Sequence, residues 1–110
     1  MRREYPLKLT LNGRSIRRVL IDSHYEVRHA GSITDSLILK LVSLLDGEER
    51  EVEAVTAIGY EVFRVDPIYC DGKTYRLVIT LPPDRDRGGS DYLGVINAFR
   101  VHTSLRTRKG

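Results

Sequence analysis

Asn12-Gly13 stands between two runs in which apolar side chains alternate with polar ones, and that arrangement dictates a β-hairpin. Leu7, Leu9 and Leu11 alternate with Lys8 and Thr10, the period of a strand with one buried face. Asn-Gly is the strongest two-residue hairpin signal because both positions tolerate positive φ. A two-residue turn sets Leu11 opposite Arg14 and Leu9 opposite Ile16, with the return strand running to about Asp22. The buried face is then expected to continue through Ile16 and Leu20.

From Ile33 the period changes. Ile33, Leu37, Ile38, Leu41, Leu44 and Leu45 recur at three- and four-residue steps, which gives a helix one apolar face. Ser32 fits the N-cap, with Thr34 close by and Asp35 three positions on, and Asp46-Gly47 ends the helix. Such a helix would bury roughly six large side chains, about 2 kcal/mol each before entropy, and would be the main source of apolar core.

The remainder reads as strand. Glu51 to Ile58 and Tyr60 to Asp66 are rich in β-branched and aromatic residues and break at Gly59. Pro67 marks an edge or a bulge. Asp71-Gly72 predicts a second hairpin turn into Thr74 to Leu81, where Tyr75, Leu77, Ile79 and Leu81 form the core side. Pro82 to Asp91 is a polar, turn-rich loop, and Tyr92 to Val101 the last strand. The expected fold is α+β: one amphipathic helix packed on a twisted antiparallel sheet, in the order β-β-α-β-β-β-β. Residues 1–101 form a single domain and 102–110 a basic, flexible C-terminal tail. A chain of 110 residues, 41% apolar, suits one modest core.

Composition narrows the function classes. No apolar run is long enough to span a membrane, and the first six residues lack the apolar stretch of a signal peptide. The lone Cys70 allows no internal disulfide and no cysteine-based zinc site, which points to a reducing cytoplasm. Phosphate-loop, dinucleotide-binding and nucleophile-elbow motifs are absent, so nucleotide hydrolysis and serine-esterase chemistry lack support. Net charge is +3, unevenly spread. Arg2, Arg3, Lys8, Arg14, Arg17 and Arg18 crowd the first hairpin against Glu4 alone, whereas Asp46 to Glu53 is acidic. Arginine forks suit a phosphate-bearing partner, and an ordinary solvated surface would show the same residues.

Two groups of residues could carry chemistry. Ser23 to His29 holds His24, Glu26, Arg28 and His29, and histidine titrates nearest neutrality. In an extended segment His24, Glu26 and Arg28 would face one way and Tyr25, Val27 and His29 the other. The plainer alternative has His29 hydrogen-bonding near the helix start while Tyr25 and Val27 fill the core. A zinc site from His24, His29 and an acid matches no strong spacing, so no metal and no cofactor is expected. The second group lies on the sheet face away from the helix. With Leu93, Val95, Phe99 and Val101 on the core side, Tyr92 and Arg100 turn outward to join Arg76, Thr80 and Arg64. Such an arginine-tyrosine surface could grip a phosphodiester. It would look the same as an ordinary charged sheet face. Asn97, among apolar neighbours, needs hydrogen-bond partners.

The stretch His24-Tyr25-Glu26-Val27-Arg28-His29-Ala30-Gly31-Ser32-Ile33-Thr34-Asp35 leads into a helix, and the chain ends in a meander through Gly94-Val95-Ile96-Asn97-Ala98-Phe99-Arg100. Over residues 20–101 this pattern resembles the small RelE/BrnT-type toxins. The resemblance implies metal-independent RNA cleavage, or an inactive relative, with His24 or His29 as acid-base group and Arg100 as phosphate ligand. Strand parity adds Arg76 to the catalytic set, and Arg28, Arg64 and Tyr92 are the substrate-binding candidates. It also implies an RNA substrate and an antitoxin-like protein partner. The Arg85-Asp86-Arg87-Gly88-Gly89 loop departs from that pattern, and so does the missing helix before the sheet. The other reading is a non-catalytic protein-interaction module or small accessory protein, forming a homodimer or pairing through an exposed strand edge, with no membrane partner.

Overall fold

The computed structural model describes residues 2–22, 33–83 and 91–101. Its elements are β1 (Arg2–Leu11), β2 (Arg14–Asp22), α1 (Asp35–Ser43), β3 (Ala54–Val55), β4 (Glu61–Cys70), β5 (Lys73–Leu81) and β6 (Asp91–Val101). The six strands form one sheet in the order β1-β2-β6-β5-β4-β3. Neighbours run antiparallel except β2 and β6, which run parallel. This corrects the expected α+β fold with an antiparallel sheet. Among the described residues strands take 62% and the helix 11%, which makes them a mixed sheet with one short helix. Alternation reveals that a segment is a strand but not which neighbour it chooses. The last strand inserts between the two hairpins instead of extending an edge. The segments 23–32 and 102–110, with most of the 82–91 loop, lie outside the described residues.

Both hairpin turns use positive φ at their two central residues: 53° and 73° at Asn12 and Gly13, 52° and 79° at Asp71 and Gly72. Primed turns of this kind match the twist of the flanking strands. Leu11 pairs with Arg14 and Leu9 with Ile16. Cys70 pairs with Lys73.

Two irregularities then reverse the parity of the strands. Between the pairs Ile16–Leu9 and Arg18–Pro6, β1 sets two residues, Leu7 and Lys8, against the single Arg17 of β2, and the β2–β6 register shifts at the same place. Val19 and Ile21 therefore fill the core, and Leu20 turns to the opposite face, half-buried. In β6 Val95 pairs with Ile79 and Asn97 with Val78, so Ile96 is the extra residue of a bulge. Ala98, not Phe99, continues the core. Phe99 faces Arg76 across the outer face, while Arg100 faces Tyr75 on the core side. Strict alternation assigns Phe99 and Val101 to the core and Arg100 to the outer face, which one inserted residue inverts.

α1 begins two residues later than its pattern suggests. Thr34 is the N-cap, its Oγ1 accepting a 3.2 Å hydrogen bond from the Leu37 amide. Ser32, the expected cap, lies outside the described residues. The helix stops at Ser43, and the turns that follow leave the helical phase, so Leu45 is buried while Leu44 is 46% exposed. Its buried residues are Ile38, Leu41 and Val42. Most of the core is strand-borne, from Ile16, Phe63, Leu77, Ile79, Leu81 and Leu93 among others. The helix is thus a minor packing element, not the principal one expected.

One carboxylate anchors α1 to the sheet. Arg3 grips Asp35 with a fork, Nε to Oδ2 at 2.6 Å and Nη2 to Oδ1 at 2.8 Å, and the Tyr5 hydroxyl donates to the same Oδ2. The Arg3 hydrogen bonds, reinforced by Tyr5, hold the Asp35 carboxyl below its ordinary 3.8 against the opposing effect of burial. Donation to Asp35 raises the Tyr5 phenol in turn. At the far end of the helix an exposed pair, Lys40 and Asp71 at 2.7 Å, raises the amine and lowers the carboxyl.

The chain beyond α1 sheathes one edge of the sheet. Thr10 donates to Asp46, Gly47 donates to the Thr10 carbonyl at 2.7 Å, and Asn12 donates to the Glu48 carbonyl at 3.0 Å. The Asn12 side chain clamps Arg50 twice, donating to its carbonyl at 2.9 Å and accepting from its amide at 2.6 Å. This protects the hairpin end of β1 from pairing with another chain. The expected strand over Glu51 to Ile58 shrinks to Ala54–Val55, because residues 51–58 are all exposed and have no core to face. Pro67 sits where the β4–β5 register shifts, between Val65 and Ile68. Among the described residues no helix is long and apolar enough to cross a membrane.

Candidate binding cleft

The outer face of the sheet, opposite α1, carries a cleft of about 400 Å³ along the first half of β6. Its floor is set by sequence parity. Tyr92 and Gly94 point outward from β6, where Arg18 pairs with Tyr92 and Leu20 with Gly94 on β2. Thr80 pairs with Gly94 from the other side. One wall comes from the β3–β4 turn, which is closed by hydrogen bonds between Thr56 and Tyr60, including Tyr60 amide to Thr56 Oγ1 at 3.0 Å. That turn presents Ile58, 63% exposed, toward the cleft, and Ile96 faces it from the bulge. Arg2 and Asp22, cross-strand partners, close the other end.

Gly94 makes room for its neighbour. A Cβ there would meet Thr80 Oγ1 at 2.8 Å, closer than atoms tolerate. A glycine inside a strand weakens it by roughly 0.5–1 kcal/mol, and the close approach that it permits here is that of the Thr80 hydroxyl. Two tyrosines bound the slot, their hydroxyls 2.8 Å apart from Tyr60 to Tyr92. Arg18 covers the far side of the Tyr92 ring, its guanidinium carbon 5.1 Å from the centroid, and reaches Glu4 at 3.3 Å. A second depression of about 390 Å³ lies beyond Tyr92, among Arg2, Glu4, Arg18 and Leu20.

Of the residues placed on the outer face from the sequence, Tyr92 and Thr80 line this cleft. Arg64 and Arg76 share its face but belong to a separate group. Arg76 Nε donates to Asp66 at 2.8 Å and lies 6.0 Å from the Phe99 ring centroid. Arg64 stands 3.9 Å from Asp66 and 4.0 Å from Glu53. Arg100 is on the opposite face, so Arg76 and Arg100 are not brought together. His24, Arg28 and His29 lie outside the described residues. Asn97 is neither core nor site: its Oδ1 accepts the Ala98 amide at 3.0 Å, satisfying a donor just past the last β2–β6 pair.

No protein-family model, curated protein or solved structure matches the chain. The chemistry of the cleft therefore has to be read from its own residues. Among the described residues no cluster of three or more metal-ligating side chains forms. Among the described residues, the displaced titrations at Tyr5, Asp35, Lys40 and Asp71 all lie outside the cleft lining. What the cleft offers is shape, three apolar side chains, hydroxyl donors and acceptors, and one guanidinium beside one carboxylate. Those groups suit recognition. Sequence reasoning missed Gly94, Leu20, Tyr60 and the Arg2–Asp22 row. The glycine in an otherwise apolar strand was the available signal.

Proposed function

We propose that this protein is a non-catalytic binding module whose working surface is the outer face of its sheet around Gly94. The supporting observation is the cleft bounded by Tyr60 and Tyr92, in which Leu20, Ile58 and Ile96 stand among the polar side chains of Arg2, Asp22, Thr56 and Thr80. A concave site that combines apolar surface with convergent polar groups suits a ligand. The arginines expected to steady a phosphorane do not support cleavage: Arg76 is committed to Asp66, and Arg100 lies across the sheet.

A second reading, the RelE-like ribonuclease, is favoured by one observation. Asp22 lines the cleft and ends β2, and His24 follows it by two residues in the sequence. Incubating the full chain with a single-stranded RNA, beside His24→Ala and His29→Ala variants, separates the two. The binding-module reading expects intact RNA with all three proteins. Cleavage by the wild type that either variant abolishes would replace it with the nuclease.

A further inference from the structure

We propose that Tyr60 and Tyr92 form a modification site, at which an oxidant of the peroxide class joins the two side chains as an intramolecular dityrosine. What carries this is direct contact between two phenols. Their hydroxyls stand 2.8 Å apart, both residues are half-buried, and both line the cleft. Tyr60 immediately precedes β4 and Tyr92 lies on β6, so the contact spans β5, the strand between them. Each residue is fixed from its own side. Tyr60 exchanges backbone hydrogen bonds with Thr56, its carbonyl accepting at 2.8 Å and its amide donating to Oγ1 at 3.0 Å. Tyr92 pairs with Arg18, whose guanidinium lies over its ring. The other described tyrosines are placed differently: Tyr5 donates to Asp35, Tyr75 is buried, and Tyr69 is 72% exposed.

Loss of one electron and the hydroxyl proton turns either phenol into a phenoxyl radical, whose unpaired electron is shared with the ring carbons ortho to oxygen. The second phenol is already in contact. When it is oxidised in turn, the two radicals join through those carbons. The ring hydrogens at the new carbon–carbon bond move to the oxygens, which restores both aromatic rings and both hydroxyls. The pair gives up two electrons and two protons in all, and hydrogen peroxide takes them and leaves as two waters. Holding the partners together replaces an encounter between chains with a step inside one chain, which favours it by orders of magnitude. The bond ties the turn between β3 and β4, one wall of the cleft, to the strand that forms its floor.

Treating the dilute full chain with hydrogen peroxide and a small haem peptide, which oxidises phenols one electron at a time, tests the proposal. We expect dityrosine fluorescence in a product that remains monomeric on a denaturing gel. Trypsin should release a conjugate of residues 51–64 and 88–100, two hydrogens lighter than the two peptides together. Tyr60 and Tyr92 are the only tyrosines in those peptides. Tyr60→Phe and Tyr92→Phe, each shown by circular dichroism to be folded, should lower the monomer's dityrosine at least about tenfold, and so should unfolding the wild type in urea lower the conjugate. Tyr69→Phe should leave both unchanged. Monomer dityrosine at wild-type yield in either of the first two variants overturns the assignment. A conjugate that forms as readily in urea overturns it, as does dityrosine found mainly between chains. So does a protein without dityrosine under conditions that couple free N-acetyltyrosine.

Discussion

Asp35 takes three hydrogen bonds from two side chains of β1, and all three favour its charged form. Replacing it with asparagine removes the charge and should cost about 1 kcal/mol at neutral pH, a value held down by partial solvent screening of the pair. Because the folded pKa lies below the unfolded one, the contribution is complete above the unfolded value of about 3.8 and disappears as pH falls through the lowered one. Urea melts of wild type and Asp35→Asn should therefore differ at pH 7 and converge at about pH 2, below the ordinary carboxylate range. Asn12 offers a cleaner separation of roles. Asn12→Gly keeps a residue that accepts positive φ but loses both bonds to Arg50. It should destabilise by about 1–2 kcal/mol in denaturant melts, with the hairpin resonances of Leu11 and Arg14 nearly unmoved.

At the scale of the strand, the bulges decide which side chains reach the cleft. Ile96 sits where β6 carries one residue more than β5, and Asn97 caps the adjacent Ala98 amide. Asn97→Ala should cost about 1 kcal/mol and speed hydrogen exchange at Ala98, with Val95 protected as before. The strands themselves were legible in the sequence. Arg14 to Asp22 follows from the Asn-Gly turn and the alternation around it, and Tyr75, Leu77, Ile79 and Leu81 are buried as their spacing requires. The parity beyond Arg17 and Ile96 was not legible. A bulge arises from the register that the neighbouring strands impose, and Arg17-Arg18 or Ile96-Asn97 read locally like any strand residues. Alternation alone therefore puts Leu20 and Arg100 on the wrong faces, and puts Tyr92, upstream of the β6 bulge, on the right one. α1 shows the opposite failure. Its 3.6-residue period ran on through Leu44, yet the chain had already left the helix at Ser43.

The whole sheet depends on β6, which bonds to the first hairpin through β2 and to the second through β5. Leu93 is fully buried at that junction, and Leu93→Ala should cost about 3 kcal/mol through lost burial and an unfilled cavity. Pairing across most of the chain forms late when local hairpins form early. The loss should then show mainly as faster unfolding, and so should the loss in Asn12→Gly of the Asn12–Arg50 bonds, which join residues far apart in the sequence. Stopped-flow chevrons of the two variants check this, and a slowed refolding limb for Leu93→Ala would contradict it. The same topology explains why the cleft was hard to foresee. Its floor joins residues near the start of the sequence, Arg18 to Asp22, to residues near the end, Tyr92 to Ile96, through a parallel pairing that no local pattern announces.

The central place of β6 has a consequence for a chain emerging from the ribosome. Until Asp91 to Val101 has been made, the β1–β2 and β4–β5 hairpins have no strand between them to share, and isolated two-stranded hairpins are marginal in water. The nascent chain carries the β1–β2 half-sheet with an unsatisfied inner edge until Asp91 to Val101 is made, joined from Leu81 onward by a second half-sheet, β4–β5. The last strand made is the one that turns them into a single structure and lays down the cleft floor in the same step.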